Sequence, residues 1–523
     1  MGQRPSGKFI IFLESCYLLC HYFSSFFGKI ISHQTGGLIM SSIFEGFKPL
    51  SIWKHFEHIL KIPHCSGNEE AMGDYIISVA ENSNLGWEKD KVGNVVVRKK
   101  ATAGHEQAEG VILQGHLDMV GEKNSDVVHD FAKDEIQAEV KGEWVQAKGT
   151  TLGADNGIGV AASLAVMEDP TLTHGPLEFL FTVDEETGLT GATKIEPGFL
   201  KGKKLLNLDS EDEGEFTIGC AGGADSEITL SLKRNTDSHG ELFQLKLFGL
   251  RGGHSGIDIN QGRGNAVQLL AHMLSQAMKE FSFELIRMEG GNKRNAIARE
   301  AWADLYIDPS QEQNLSSFLQ KAFGEIKLEY QAVEKEANFS FEKSDGDKKD
   351  PLTAESQEAL INLLAALPHG VLAMHPEMEG LVETSSNLAI IHTHPDHAEI
   401  ICSSRSSDSS ALKSTRATIA TLSKQAGAEI NQPEGYPGWT PNLQSPLLKT
   451  LKEVYQKVFH KEPEVGAVHA GLECGIIGEK FPGMDMISFG PTIEHPHSPE
   501  ERVHVGSVEK FWTFLTTVLA ELG

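Results

Sequence analysis

The ten residues VILQGHLDMV, 111–120, decide the fold. Val111 to Gln114 is an apolar run that stops at Gly115 and is followed at once by His116 and Asp118. Such a run, closed by chemically capable side chains, reads as a buried strand that delivers a functional group at its carboxyl end. The pattern recurs: Leu177 to Val183 leads into Asp184-Glu185-Glu186, Leu205 to Leu208 into Asp209, and Met484 to Phe489 through Gly490-Pro491-Thr492 toward His497. Between the first two runs, Gly157 to Met167 carries small and aliphatic residues at helical spacing, with Asp155 and Asn156 just ahead of it. Short strands alternating with amphipathic stretches predict an α/β fold with a mainly parallel sheet. The carboxyl ends of such a sheet share one edge, so residues far apart in sequence can converge there.

After Cys220–Gly223 the texture changes. Strand Leu242–Leu250, helix Asn265–Met278, strands Phe283–Met288 and Asn295–Ile307, a helix near Leu315–Phe323 and a strand near Ala337–Phe341 follow in turn. That βαββαβ order is ferredoxin-like. A charged stretch, Glu342 to Asp350, separates it from a further α/β portion, so the expectation is one inserted, two-lobed α+β domain. The expected boundaries are an N-terminal extension at 1–40, a first catalytic part at 41–221, the insert at 222–435, and a second catalytic part at 436–523.

Composition narrows the function. At 523 residues the chain is large enough for two or three packed domains. With 46 Lys and Arg against 73 Asp and Glu, the net charge of -27 repels phosphate backbones and anionic membranes, which argues against nucleic acid and stable membrane association. The six cysteines form no C-x-x-C pair, so neither a disulfide framework nor a thiolate metal site is expected, and a reducing cytoplasm fits. The apolar segment Phe9–Ile31 is interrupted by Glu14, His21 and Lys29 and reads as an extension ahead of a start at Met40, not as a spanning helix.

Each acidic or histidine motif alone has a plain reading: a strand-end turn at His116, a helix cap at Asp155, solvated acids at 184–186 and 209–215, a loop histidine at 497, a turn histidine at 254, a surface arginine at 405. Together, acids at three strand ends plus two histidines are what a metal site needs, because crowded carboxylates repel unless cations intervene. Nitrogen and oxygen donors without thiolates suit zinc, manganese or cobalt, and one carboxylate can bridge two ions.

Six motifs carry a resemblance: GHLDMV at 115–120, GTTLGADNGIG at 149–159, DEETG at 184–188, LNLDSE at 206–211, GGHSG at 252–256 and PHSP at 496–499. From about Leu50 to the C-terminus the chain resembles the aminoacyl-histidine (Xaa-His, or cytosol non-specific) dipeptidases, a branch of the co-catalytic di-zinc peptidases and aminoacylases. The resemblance implies two zinc ions bridged by Asp155, with His116 and Asp209 completing one site and Glu186 and His497 the other. It implies Glu185 as general base and acid, and Asp118 as the residue that orients His116. In the insert, acting as a lid, it implies His254 as oxyanion donor and Asn295 and Arg405 as contacts to a dipeptide substrate, Arg405 suiting a free carboxylate through its planar fork. Because relatives often receive that histidine from a partner's lid, a homodimer is implied. An N-acyl amino-acid hydrolase or tripeptidase using the same ions is the alternative within enzymes, and a non-catalytic zinc-binding protein the alternative outside them.

Overall fold

The computed structural model describes residues 42–236, 240–346 and 349–523; the Phe9–Ile31 segment lies outside them. Among the described residues an eight-stranded sheet is ordered Gly86–Lys89, Val95–Lys99, Leu177–Thr182, Val111–His116, Lys204–Asn207, Asp485–Ser488, Glu215–Cys220, Glu464–Val468. The four central strands, from Leu177–Thr182 to Asp485–Ser488, run parallel. Every residue of Val111–His116 and Leu177–Thr182 is buried, as strands covered on both faces must be. Their apolar side chains, with rings such as Phe179 and Phe181, each contribute about 1.5–3 kcal/mol by leaving water.

Helix Ala154–Glu168 packs against strand Val111–His116 and helix Leu50–Ile59. It is buried almost all round, which explains its small-residue sequence. At Gly159 a Cβ would stand 2.4 Å from the Leu208 carbonyl oxygen, so glycine lets this helix seat against the strand end that bears Asp209. Its first turn is irregular: Asp155 and Asn156 have non-helical backbone angles, which aims Asp155 away from the helix surface.

A second sheet is antiparallel throughout, ordered Asn338–Lys343, Glu241–Phe248, Ala301–Ile307, Phe283–Gly290, Val382–Thr393, His397–Ser406, Gly222–Ser231, Glu429–Asn431, with Gly370–Met374 also paired to Val382–Thr393. Its first four strands take the 4-1-3-2 order of a ferredoxin-like layer, with helices Ala266–Ala277 and Glu312–Glu329 between them in sequence. One expectation needs correction. Asn295–Ile307 is not a single strand: Ala296–Ile297 pairs with Gly253–His254 in a separate two-stranded ladder, and the long strand starts at Ala301. The pairing partner, invisible to local pattern, divides the run. The chain passes between the two sheets twice side by side, where Cys220 bridges Trp439 and Gly223 bridges Tyr436.

Candidate metal centre

His116, Asp155, Glu186, Asp209 and His497 come together at the carboxyl edge of the parallel strands. His116 Nε2 lies 3.1 Å from Asp155 Oδ1 and 3.2 Å from Asp209 Oδ1. His497 Nε2 lies 3.2 Å from Asp155 Oδ2 and 3.0 Å from Glu186 Oε2. Asp155 thus offers one oxygen to each imidazole, and the donors form two groups, His116–Asp155–Asp209 and Asp155–Glu186–His497, that share it. A single ring nitrogen facing two carboxylates cannot serve both with one proton, and Glu186 Oε1 and Asp209 Oδ1 are buried without an aligned hydrogen-bond partner. Orphaned oxygens and two imidazoles around a common carboxylate fit a pair of divalent cations.

The supports are equally specific. His116 Nδ1 donates to the backbone carbonyl of Asp118 at 3.0 Å, leaving Nε2 to face the acids. Asp118 carboxylate is 3.4 Å from the same nitrogen. It also accepts from Ser66 Oγ at 2.7 Å and from the backbone N–H groups of Glu185 and Glu186 at 3.0 and 3.1 Å. One carboxylate therefore joins His116 to the turn that presents Glu185.

Burial, with Asp155 and Glu186 adding to it against His116, pushes Asp209 up to about 6. Burial, then Asp155 and Asp209, pushes Glu211 up to about 8. Glu185 is raised well above its usual value, again chiefly by burial. Hydrogen bonds to Asp155 and Glu186 hold His497 up at about 11. Acids crowded out of water are costly unless positive charge stands among them.

The remaining predicted residues lie on the second sheet's side. His254 Nδ1 accepts from the N–H groups of Gly256 and Ile257 at 3.2 and 3.1 Å, which fixes the tautomer with its proton on Nε2. Burial and then the Arg405 charge hold its pKa below the usual imidazole value, which favours the neutral ring. Arg405 is no surface arginine: it is 8% exposed, donates to Tyr436 OH at 3.0 Å, and has no acidic partner among the described residues, its Nε being buried and unpartnered. Asn295 is exposed in the loop beside His254, its carbonyl accepting from Ser255 N at 2.9 Å. A cavity of about 790 Å³ is bordered by Asp209 and Glu211 together with Gly256, Ile257, Val382 and His469.

Three residues escaped the sequence reading. Glu501 accepts from the N–H groups of Leu152, Gly153, Ala154 and Asp155 at 2.7–3.3 Å and so holds the turn that carries Asp155. Buried Glu473 accepts from Gln114 and Thr182, both at 2.6 Å, beneath the strand ends. His469 reaches Ser385 Oγ at 2.7 Å. Only Glu501 left a trace, as an acid four residues beyond His497.

The description of peptidase family M20/M25/M40 matches residues 112–521. The cytosol non-specific dipeptidase of Escherichia coli K12 is 44% identical over 476 residues, 91% of this chain and 98% of that protein. Aminoacylhistidine dipeptidase from Vibrio alginolyticus superimposes with a TM-score of 0.86 at 41% identity, covering 92% of this chain and 98% of that one. Aminopeptidase PepT from Bacillus cereus, at 14% identity, shares the fold with a TM-score of 0.54 over 91% of this chain and 99% of its own. A match spanning most of the sequence, and a relative this similar along nearly all of both lengths, mean that the chain belongs to peptidase family M20/M25/M40.

Proposed function

We propose that this protein is a cytoplasmic di-zinc dipeptidase that hydrolyses Xaa-His and other dipeptides. The observation that carries the reading is Asp155, whose two oxygens face two imidazoles, each completed by its own acid. In this reading His116, Asp155 and Asp209 hold one ion, and Asp155, Glu186 and His497 the other, manganese or cobalt being possible substitutes. Bound cations supply Lewis acidity and lower the pKa of water. The likeness to two dipeptidases at 44% and 41% identity supports the substrate class.

The chain's own groups account for the rest. Residues 222–435 act as a lid over the parallel sheet. Arg405, buried without an acid, receives the dipeptide's free carboxylate in its fork. His254, neutral with its proton on Nε2, donates to the oxyanion that forms as the peptide carbonyl is attacked. Asn295 contacts the substrate at the rim. Glu185 takes the proton from the attacking water and passes it to the leaving amine nitrogen, and Asp118 keeps both His116 and the Glu185 turn in place. A homodimer through the lid module completes the reading.

Glu185→Gln keeps shape and removes the base. With zinc-loaded protein and a panel of Xaa-His, other dipeptides, a tripeptide and an N-acyl amino acid, the wild type is expected to release amino acids from dipeptides, and the variant to be about a thousandfold slower at equal metal content. Undiminished turnover by the variant rejects Glu185 as base. Preference for the N-acyl amino acid or tripeptide rejects the dipeptidase assignment.

A further inference from the structure

Away from Asp155, the hairpin joining strands Val382–Thr393 and His397–Ser406 reads HTHPDHAE, residues 392–399. Its histidines are packed together. The rings of His394 and His397 stack with centroids 4.4 Å apart and planes at 18°, and His392 stands edge-on to His394 at 4.4 Å. Glu399 faces two of them with different oxygens: Oε2 is 3.3 Å from His394 Nε2, and Oε1 is 3.6 Å from His397 Nε2.

Two details distinguish this from ordinary surface ion pairs. His394 Nε2 is buried, and its contact with Glu399 at 3.3 Å is an ion pair without an aligned hydrogen bond. A polar atom out of water without an aligned hydrogen bond is poorly satisfied, and a ligand on its lone pair would satisfy it. At His397 the other ring nitrogen, Nδ1, meets Asp396 Oδ1 at 2.8 Å. A carboxylate that accepts a hydrogen bond from Nδ1–H holds the proton there, leaves the Nε2 lone pair free and raises its basicity, as a metal-binding imidazole requires.

The turn is also held in shape. Arg234 Nε donates to the Pro395 carbonyl at 2.5 Å and Nη2 to that of His394 at 3.0 Å, while His394 N donates to His397 O at 2.8 Å. His394, His397 and Glu399 can each present one donor atom within 4.8 Å of the others.

We propose that His394, His397 and Glu399 form an accessory site for a divalent transition-metal ion, separate from the centre at Asp155. Two imidazole nitrogens and one carboxylate suit zinc, copper(II) or nickel(II) and disfavour magnesium and calcium, which want oxygen ligands. With Glu399 56% exposed, solvent can reach the ion and complete its coordination. The proposal does not depend on peptidase activity.

The test is zinc titration by calorimetry, with metal content per chain measured on the same samples. The wild type is expected to bind one more zinc ion per chain than the double variant His394→Gln/His397→Gln at an unchanged circular dichroism spectrum. Should that variant fail to fold, Glu399→Gln, altered at the exposed ligand, is expected to bind the extra ion roughly tenfold or more weakly. Equal zinc uptake by the wild type and a folded variant overturns the site and leaves the hairpin a set of histidine–acid ion pairs.

Discussion

Asp155 and Arg405 stand at opposite ends of the same chemical problem. Asp155 sits among imidazoles and acids that together call for cations, and Arg405 is a buried cation that calls for an acid. Under the proposed reading that acid is the substrate's C-terminal carboxylate. A charge-assisted fork is worth about 1.5–3 kcal/mol, so Arg405→Lys, which keeps the charge and loses the fork, is expected to raise KM roughly ten- to a hundredfold with a smaller change in kcat. An unchanged KM in steady-state kinetics on a dipeptide would remove Arg405 from the binding role. His116, Glu185 and Asp209 were legible because each stands at the end of its strand or within a few residues beyond it, so the local pattern names both element and side chain. Glu473 and Glu501 were not, because their partners lie hundreds of residues away: Gln114 and Thr182 for one, the backbone of 152–155 for the other. An acid that binds backbone N–H groups leaves no residue-type signature at the far end.

At the scale of elements, His469 follows strand Glu464–Val468 of the parallel sheet and bonds to Ser385 on strand Val382–Thr393 of the antiparallel one. Burial, then Arg405, pushes His469 down to about 4. A histidine whose folded pKa lies below its unfolded value of 6.5 contributes stability above pH 6.5 and loses it as pH falls toward 4, because the unfolded chain binds the proton first. Between pH 7 and pH 5 that amounts to about 2 kcal/mol. Urea denaturation should therefore show the wild type losing about that much more stability over this interval than His469→Gln. Parallel losses would mean that His469 titrates normally. The parallel strands were readable as unbroken apolar runs, and the ferredoxin-like order as alternating patterns. The division of Asn295–Ile307 was not, since Ala296–Ile297 takes its form from Gly253–His254 across the ladder.

For the molecule as a whole, a net charge of -27 was enough to turn the sequence reading away from nucleic acid and membrane surfaces, and among the described residues no helix is long and apolar enough to cross a membrane. The proposed homodimer is checked by light scattering on the eluting protein, where twice the chain mass is expected and a single chain mass would exclude it. The proposed centre depends on scattered strand ends meeting around two cations. An anomalous difference map at the zinc edge from crystals of zinc-loaded protein tests this most directly. Two peaks about 3.5–4 Å apart astride the Asp155 carboxylate, one beside His116 and Asp209 and the other beside Glu186 and His497, are expected. A single peak there, or none, would contradict it.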